Sequence, residues 1–213
     1  MYKKLLMAVA LVLAGLTIAA CGGATATKAE PTKADKDIAA ASQNATTEGT
    51  VPALKGKKVL ITYFSWSGNT RKLAQEIQKK TGGNLVEIET VQHYPQDYNA
   101  TVEQGKKELQ EKARPALKTK IENFKDYDVI FLGSPNWWGN PPMGVLTFAD
   151  SYDFTGKTVV PFFTHGGGGI QSCLSTLQKE IPKAKITKPL VVSGGSVDSA
   201  SGDVDAWLKD LTF

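Results

Sequence analysis

Three features of the sequence predict an α/β fold: a three-layer, doubly wound, five-stranded parallel sheet. From Lys57 onward, short apolar and β-branched runs alternate with stretches of helical periodicity. The first of these runs, "KKVLITYF", is continuously apolar, which marks a strand buried on both faces. Segments rich in hydroxyls and glycine then fall where strands end, the edge at which such sheets bind ligands.

The elements follow in order. "KKVLITYF" predicts the first strand. Thr70 to Lys80 predicts a helix, with Leu73, Ala74 and Ile77 on one face and Gly82-Gly83 ending it. "NLVEIETV" predicts the second strand. Tyr98, Val102, Leu109 and Ala113 then recur at helical spacing until Pro115 stops the run. "YDVIFLGS" predicts the third strand, "MGVLTFADSY" a short helix and "KTVVPFFT" the fourth strand. Ile170 to Glu180 predicts a helix ended by Pro182, "PLVVSGGSV" the fifth strand, and Asp203 to Leu211 a terminal helix. There is no internal repeat and no second domain.

The first 55 of the 213 residues read differently. Lys3 and Lys4 precede an almost wholly apolar stretch, Leu5 to Ala20, too short for a comfortable membrane span. It ends in "IAAC". This resembles a bacterial lipobox, which implies a signal peptide over residues 1–20, cleavage before Cys21 and lipid on its thiol. Residues 21–55 then form a tether. Its Ala, Thr, Lys, Gly, Ser and Asn composition buries too little apolar surface to offset the entropy of ordering. The globular domain is expected over residues 56–213, in the bacterial cell envelope, lipid-anchored to the membrane and facing outside the cytoplasm. Cys173, the other cysteine, has no disulfide partner once Cys21 carries lipid, and reads as a small buried helix residue. The formal net charge is +4 and the basic residues are scattered, so nucleic acid is not an expected partner.

Three loops at strand ends carry the functional signal. Ser65-Trp66-Ser67-Gly68-Asn69-Thr70 joins a strand to a helix. Its hydroxyls and the helix N–H groups suit a phosphate dianion without a lysine, and Ser, Asn and Thr equally suit a simple helix cap. "GSPNWWGNPP", Gly133 to Pro142, offers either core or interface aromatics or a flat surface for a planar ring. "THGGGGIQS", Thr164 to Ser172, is either a flexible turn or a wall where backbone approaches a ligand closely. A mononucleotide with a large planar ring satisfies all three loops together. A dinucleotide fits less well, because "SWSGNT" lacks the spaced glycines of that fingerprint.

These loops resemble those of the flavodoxin superfamily, over about Lys57 to Phe213. "SWSGNT" is similar to its FMN phosphate loop, and "SPNWWGNPP" and "THGGGG" to the two flavin loops of its flavodoxin-like and quinone-reductase branches. The resemblance implies strand order 2-1-3-4-5 and FMN as cofactor. It gives the phosphate to Ser65, Ser67, Asn69 and Thr70, with backbone from Trp66 and Gly68. Pro135, Asn136, Trp137, Trp138 and Gly139 would line one side of the flavin. Thr164, His165, Gly166, Gly167, Gly168 and Gly169 would line the other. No covalent nucleophile and no metal are required. The expected function is an exported, membrane-anchored FMN flavoprotein that carries or transfers electrons to or from a redox partner protein or a membrane quinone. An FMN-dependent NAD(P)H:quinone oxidoreductase and a redox-silent binding module are the alternatives. Two departures stand out from the family: the chain is not acidic, and it carries an export leader.

Overall fold

The computed structural model describes residues 51–212. The leader, Cys21 and the tether up to residue 50 lie outside the described residues. Among those described, no helix is long and apolar enough to cross a membrane.

The elements run β1 (Val59–Tyr63), α1 (Asn69–Thr81), β2 (Asn84–Glu87), α2 (Tyr98–Glu111), β3 (Val129–Pro135), α3 (Met143–Ser151), β4 (Thr158–His165), α4 (Cys173–Glu180), β5 (Lys185–Ile186), β6 (Leu190–Ser193) and α5 (Ser201–Lys209). The sheet is ordered β2-β1-β3-β4-β5, with β6 also on β4, and every pairing is parallel. This is the predicted doubly wound order.

Alternation along the central strands builds the two cores. Val59, Ile61 and Tyr63 of β1 and Phe131 of β3 pack with Leu73 and Ile77 of α1 and Val204 and Trp207 of α5. Leu60 of β1 and Ile130 and Leu132 of β3 pack on the other face with Val145 and Phe148 of α3 and Leu177 of α4. Gly133 sits in register between Tyr63 and Phe162. A Cβ there would lie 2.2 Å from the Phe162 ring, so this close strand contact requires glycine. Cys173 is a fully buried residue opening α4, and burial pushes its thiol up to about 12.

α4 opens at Cys173 and not at Ile170, and α5 runs Ser201–Lys209 and not Asp203 to Leu211. Four further boundaries differ from the sequence expectation, each for a physical reason. The domain begins before residue 56: Val51 and Leu54 are buried in the core beneath a short turn of helix, Pro52–Leu54. β2 stops at Glu87, after which the chain leaves the sheet and Thr90 bridges Leu117 instead. α2 ends at Glu111, where Lys112 takes a left-handed φ of 50° and its N–H caps the last carbonyls, before Pro115 is reached. The fifth sheet position is filled by two short segments. Val159 faces Ile186 but Phe162 faces Leu190, so the register slips by one residue across Thr187–Pro189. Pro189 has no N–H to give a ladder, and the run beyond β6 coils into a helical turn, Gly194–Ser199.

Candidate functional site

The ends of β1, β3 and β4 bring the three predicted loops to one edge. The first, Ser65 to Thr70, enters α1 through Gly68, whose φ of 88° is left-handed and favours glycine. Its N-cap residue, Gly68, has no side chain to cap it. Among the described residues, the N–H groups of Ser67, Gly68, Asn69 and Thr70 donate to no protein acceptor. The Arg71 N–H, further into the first turn, donates to Ser65 Oγ at 3.2 Å. Ser67 is exposed, and Ser65, Trp66, Gly68 and Asn69 are half-buried. Thr70 is buried, and its hydroxyl shares a 2.8 Å hydrogen bond with Thr164, which ties this loop to β4.

The cations nearest the loop are engaged elsewhere. The Arg71 guanidinium grips Glu87 through two nitrogens, at 3.0 and 2.6 Å, and Tyr63 donates to the same carboxylate. Burial first, and the Glu87 charge next, push the Tyr63 phenol up to about 12. Lys72 pairs with Asp198, in the helical turn beyond β6. The loop's own attraction for an anion therefore rests on backbone dipoles and hydroxyls.

The second loop is a tight turn. Trp137 and Asn140 exchange both backbone hydrogen bonds, and Trp138 and Gly139 between them have φ of 53° and 81°. A tryptophan in the left-handed region is unusual and costs conformational energy. It is held there by its indole N–H, which donates to the Val102 carbonyl of α2 at 3.0 Å. The two tryptophans play different parts. Trp137 is half-buried, edge-on to Phe64 and Tyr94, and lies so close over Gly105 that a Cβ there would sit 3.0 Å from its ring. Trp138 is 49% exposed. Pro135, Asn136 and Gly139 are half-buried.

The third loop locks onto the second. Asn136 Nδ2 donates to the Gly169 carbonyl at 2.6 Å, and the Ser172 N–H to the Gly139 carbonyl at 2.9 Å. Thr164 is buried, His165 half-buried, and Gly166, Gly167 and Gly168 exposed. The Gly167 N–H donates to His165 Nδ1, which fixes that imidazole against its own loop. Gly167 and Gly169 have left-handed φ of 120° and 69°.

The three predicted loops thus reach one edge, and the second and third are braced directly against each other. Sequence reasoning missed a fourth contributor, the segment after β6. A Cβ on Gly194 would lie 2.6 Å from Asn69 Nδ2, so this backbone walls the first loop. The signal was present: Gly194-Gly195 follows a strand of the same parallel sheet and must emerge at the same edge.

Sheet order, an open first-helix start and interlocked glycine and tryptophan loops define an α/β domain built to present backbone groups at one sheet edge. The chain belongs to the flavodoxin family, whose model matches residues 58–211. A candidate flavoprotein from Bacteroides uniformis is similar at 33% identity and a TM-score of 0.64; the match covers 73% of this chain and 100% of that one. One from Bacteroides eggerthii is 32% identical, with a TM-score of 0.60 and coverage of 70% and 98%. A Lactobacillus acidophilus flavoprotein solved in complex with FMN is 26% identical, with a TM-score of 0.58 and coverage of 67% and 97%. No curated protein matches.

Proposed function

We propose that this chain binds FMN without a covalent link and carries or transfers electrons outside the cytoplasmic membrane of a bacterium, anchored by lipid on Cys21. The observation that carries the FMN reading is the uncapped start of α1. Its unclaimed N–H groups lie beside Ser65 and Ser67, while the neighbouring Arg71 and Lys72 are already paired. Ser65, Ser67, Asn69 and the backbone of Trp66 and Gly68 would hold the terminal phosphate. Thr70 would brace the loop through Thr164. Pro135 to Gly139 and Thr164 to Gly169 would border the ring. There the N–H groups of Gly166, Gly168 and Gly169, unclaimed among the described residues, are available to the ring's polar edge. Bound FMN supplies a ring that accepts and returns electrons, and the protein's part is to hold that ring and tune its potential. The Lactobacillus acidophilus relative solved with FMN supports this reading.

The test is a visible spectrum of the purified domain, with mass analysis of any flavin released. A yellow protein that releases FMN is expected; a protein that stays colourless after incubation with FMN overturns the assignment and leaves a redox-silent binding module. The anchor is tested separately. Cys21→Ser should abolish incorporation of labelled fatty acid, and unchanged labelling would refute lipidation at that thiol.

The tryptophan loop also favours a second reading, an FMN-dependent NAD(P)H:quinone oxidoreductase, because an open aromatic cleft of small-molecule size adjoins it. Anaerobic bleaching of the flavin by NADH or NADPH separates it from a carrier fed by a redox partner protein.

A further inference from the structure

The candidate site occupies one edge of the sheet, and the opposite edge carries a charge of its own. Because every pairing is parallel, the segments that precede β1, β3, β4 and β5 all lie at that opposite edge. Backbone hydrogen bonds set them side by side. The Asp128 N–H donates to the Lys58 carbonyl at 2.9 Å, the Thr158 N–H to the Asp128 carbonyl at 3.0 Å, and the Lys185 N–H to the Lys157 carbonyl at 2.9 Å. The sequence scatters its lysines, and the fold gathers six of them here. Lys55, Lys57 and Lys58 precede β1, Lys125 precedes β3, Lys183 precedes β5 and Lys185 opens it; all are exposed. Among the described residues none of the six is in an ion pair. Lys157, before β4, differs. It is buried, and its ammonium donates to the carbonyls of Lys125 at 3.0 Å and Tyr127 at 2.7 Å, which braces the segments from beneath.

Acids are fewer at this edge. The same segments hold Glu122, Asp126, Asp128 and Asp153. Asp128 accepts the Lys58 N–H at 2.8 Å, and Asp153 the Thr155 N–H at 2.9 Å. From residue 51 onward the chain has twenty Lys and Arg against seventeen Asp and Glu, and these segments hold seven of the first and four of the second. The rest of the domain is therefore balanced, and its positive excess belongs to this edge. The described chain also enters here. Pro52–Leu54 packs into the core and is joined to β1 by Lys55 to Lys58 alone. Whatever holds the residues before Val51 thus holds the domain by its basic edge, and the loops of the candidate site point the other way.

We propose that this edge docks on an anionic phospholipid surface, with the six exposed lysines at the headgroup phosphates. Each lysine near such a surface strengthens binding by about fivefold, and the attraction fades within a Debye length and with added salt. The lipid contact needs no anchor. Its consequence for orientation rests on the anchor proposed at Cys21: an anchored domain seated on its basic edge turns the candidate site away from the membrane, towards a soluble redox partner.

The test uses the full chain carrying Cys21→Ser, so that no thiol-linked lipid contributes, and vesicles of phosphatidylglycerol or of phosphatidylcholine. Sedimentation should show tighter binding to phosphatidylglycerol, weakening as salt rises. The triple change Lys57→Gln, Lys58→Gln and Lys185→Gln should weaken that binding by about tenfold or more. Removing the same charge elsewhere, with Lys106→Gln, Lys107→Gln and Lys118→Gln, should leave it nearly unchanged. Both triples keep the leader, so the comparison reads the domain alone. Equal binding to the two lipids, or an equal loss from the two triples, overturns the proposal. A wild-type chain that takes no lipid on Cys21, while the edge-specific preference persists, upholds it and removes the anchor reading alone.

Discussion

The molecule starts two of its helices in opposite ways. At α2, Asp97 sits in extended conformation and its carboxylate accepts the Ala100 N–H at 2.8 Å, closing the first turn. At α1, Gly68 turns left-handed and has no side chain to close the turn; only Ser65 Oγ reaches in, at 3.2 Å from the Arg71 N–H, although Ser67 and Asn69 on either side are good capping residues by type. A cap is worth about 1 kcal/mol, and a glycine before a helix adds entropy to the unfolded chain. The α1 start forgoes that stabilisation, and it does so at the sheet edge where the three loops meet. The contrast teaches that an open helix end is a property of loop path as much as of residue type.

Placing a carboxylate in the open start should have the largest effect. Ser67→Asp puts a negative charge where the phosphate is proposed to sit, and like-charge contact costs several kcal/mol. FMN affinity should fall by at least about a hundredfold while riboflavin affinity hardly changes, as read by flavin fluorescence titration of the apoprotein. A parallel loss for both flavins would mean that the substitution merely damages the loop.

Opening the closed start is the complementary change. Asp97→Ala should lower unfolding stability by about 1 kcal/mol in a urea titration. It should leave the ratio of FMN to riboflavin affinity alone, because α2 offers its start to no phosphate. A shift in that ratio would contradict the division of labour between the two helices.

The smallest effect concerns the network that keeps Arg71 occupied beside the open start. The Tyr63 phenol titrates near 10 in an unfolded chain and is pushed up to about 12 in the fold. Its raised value means the neutral phenol is favoured by folding. That contribution is complete below about pH 10 and is lost as pH rises towards about 12. Tyr63→Phe should remove this part of the alkaline loss of stability. An unchanged slope of stability against pH between those values would show that Tyr63 ionises at the same pH in the folded and unfolded chain.

The alternation of strands and helices was legible because buried parallel strands are written as continuous apolar runs, and "VLITY" and "VIFLGS" both land in the sheet centre. The split of the fifth position was not. Pro189 breaks the ladder only because β4 is the neighbour it would have paired with, and sequence does not name neighbours. The first loop was legible because hydroxyl, glycine and helix start are contiguous in sequence. Its inner wall at Gly194 and the brace between Thr70 and Thr164 were not, since both come from distant segments. The two tryptophans looked equivalent in sequence. Their separation into a half-buried Trp137 and an exposed Trp138 follows from the left-handed turn at Trp138 and Gly139 and from the notch that Gly105 leaves in α2.

The affinities of the apoprotein for FMN and for riboflavin test the open start of α1 most directly. The two differ only in the terminal phosphate. Several charge-assisted hydrogen bonds from the α1 start, at roughly 1.5–3 kcal/mol each, should favour FMN by about a thousandfold or more. Equal affinities would mean that the open start of α1 holds no phosphate, and the central assignment would be wrong.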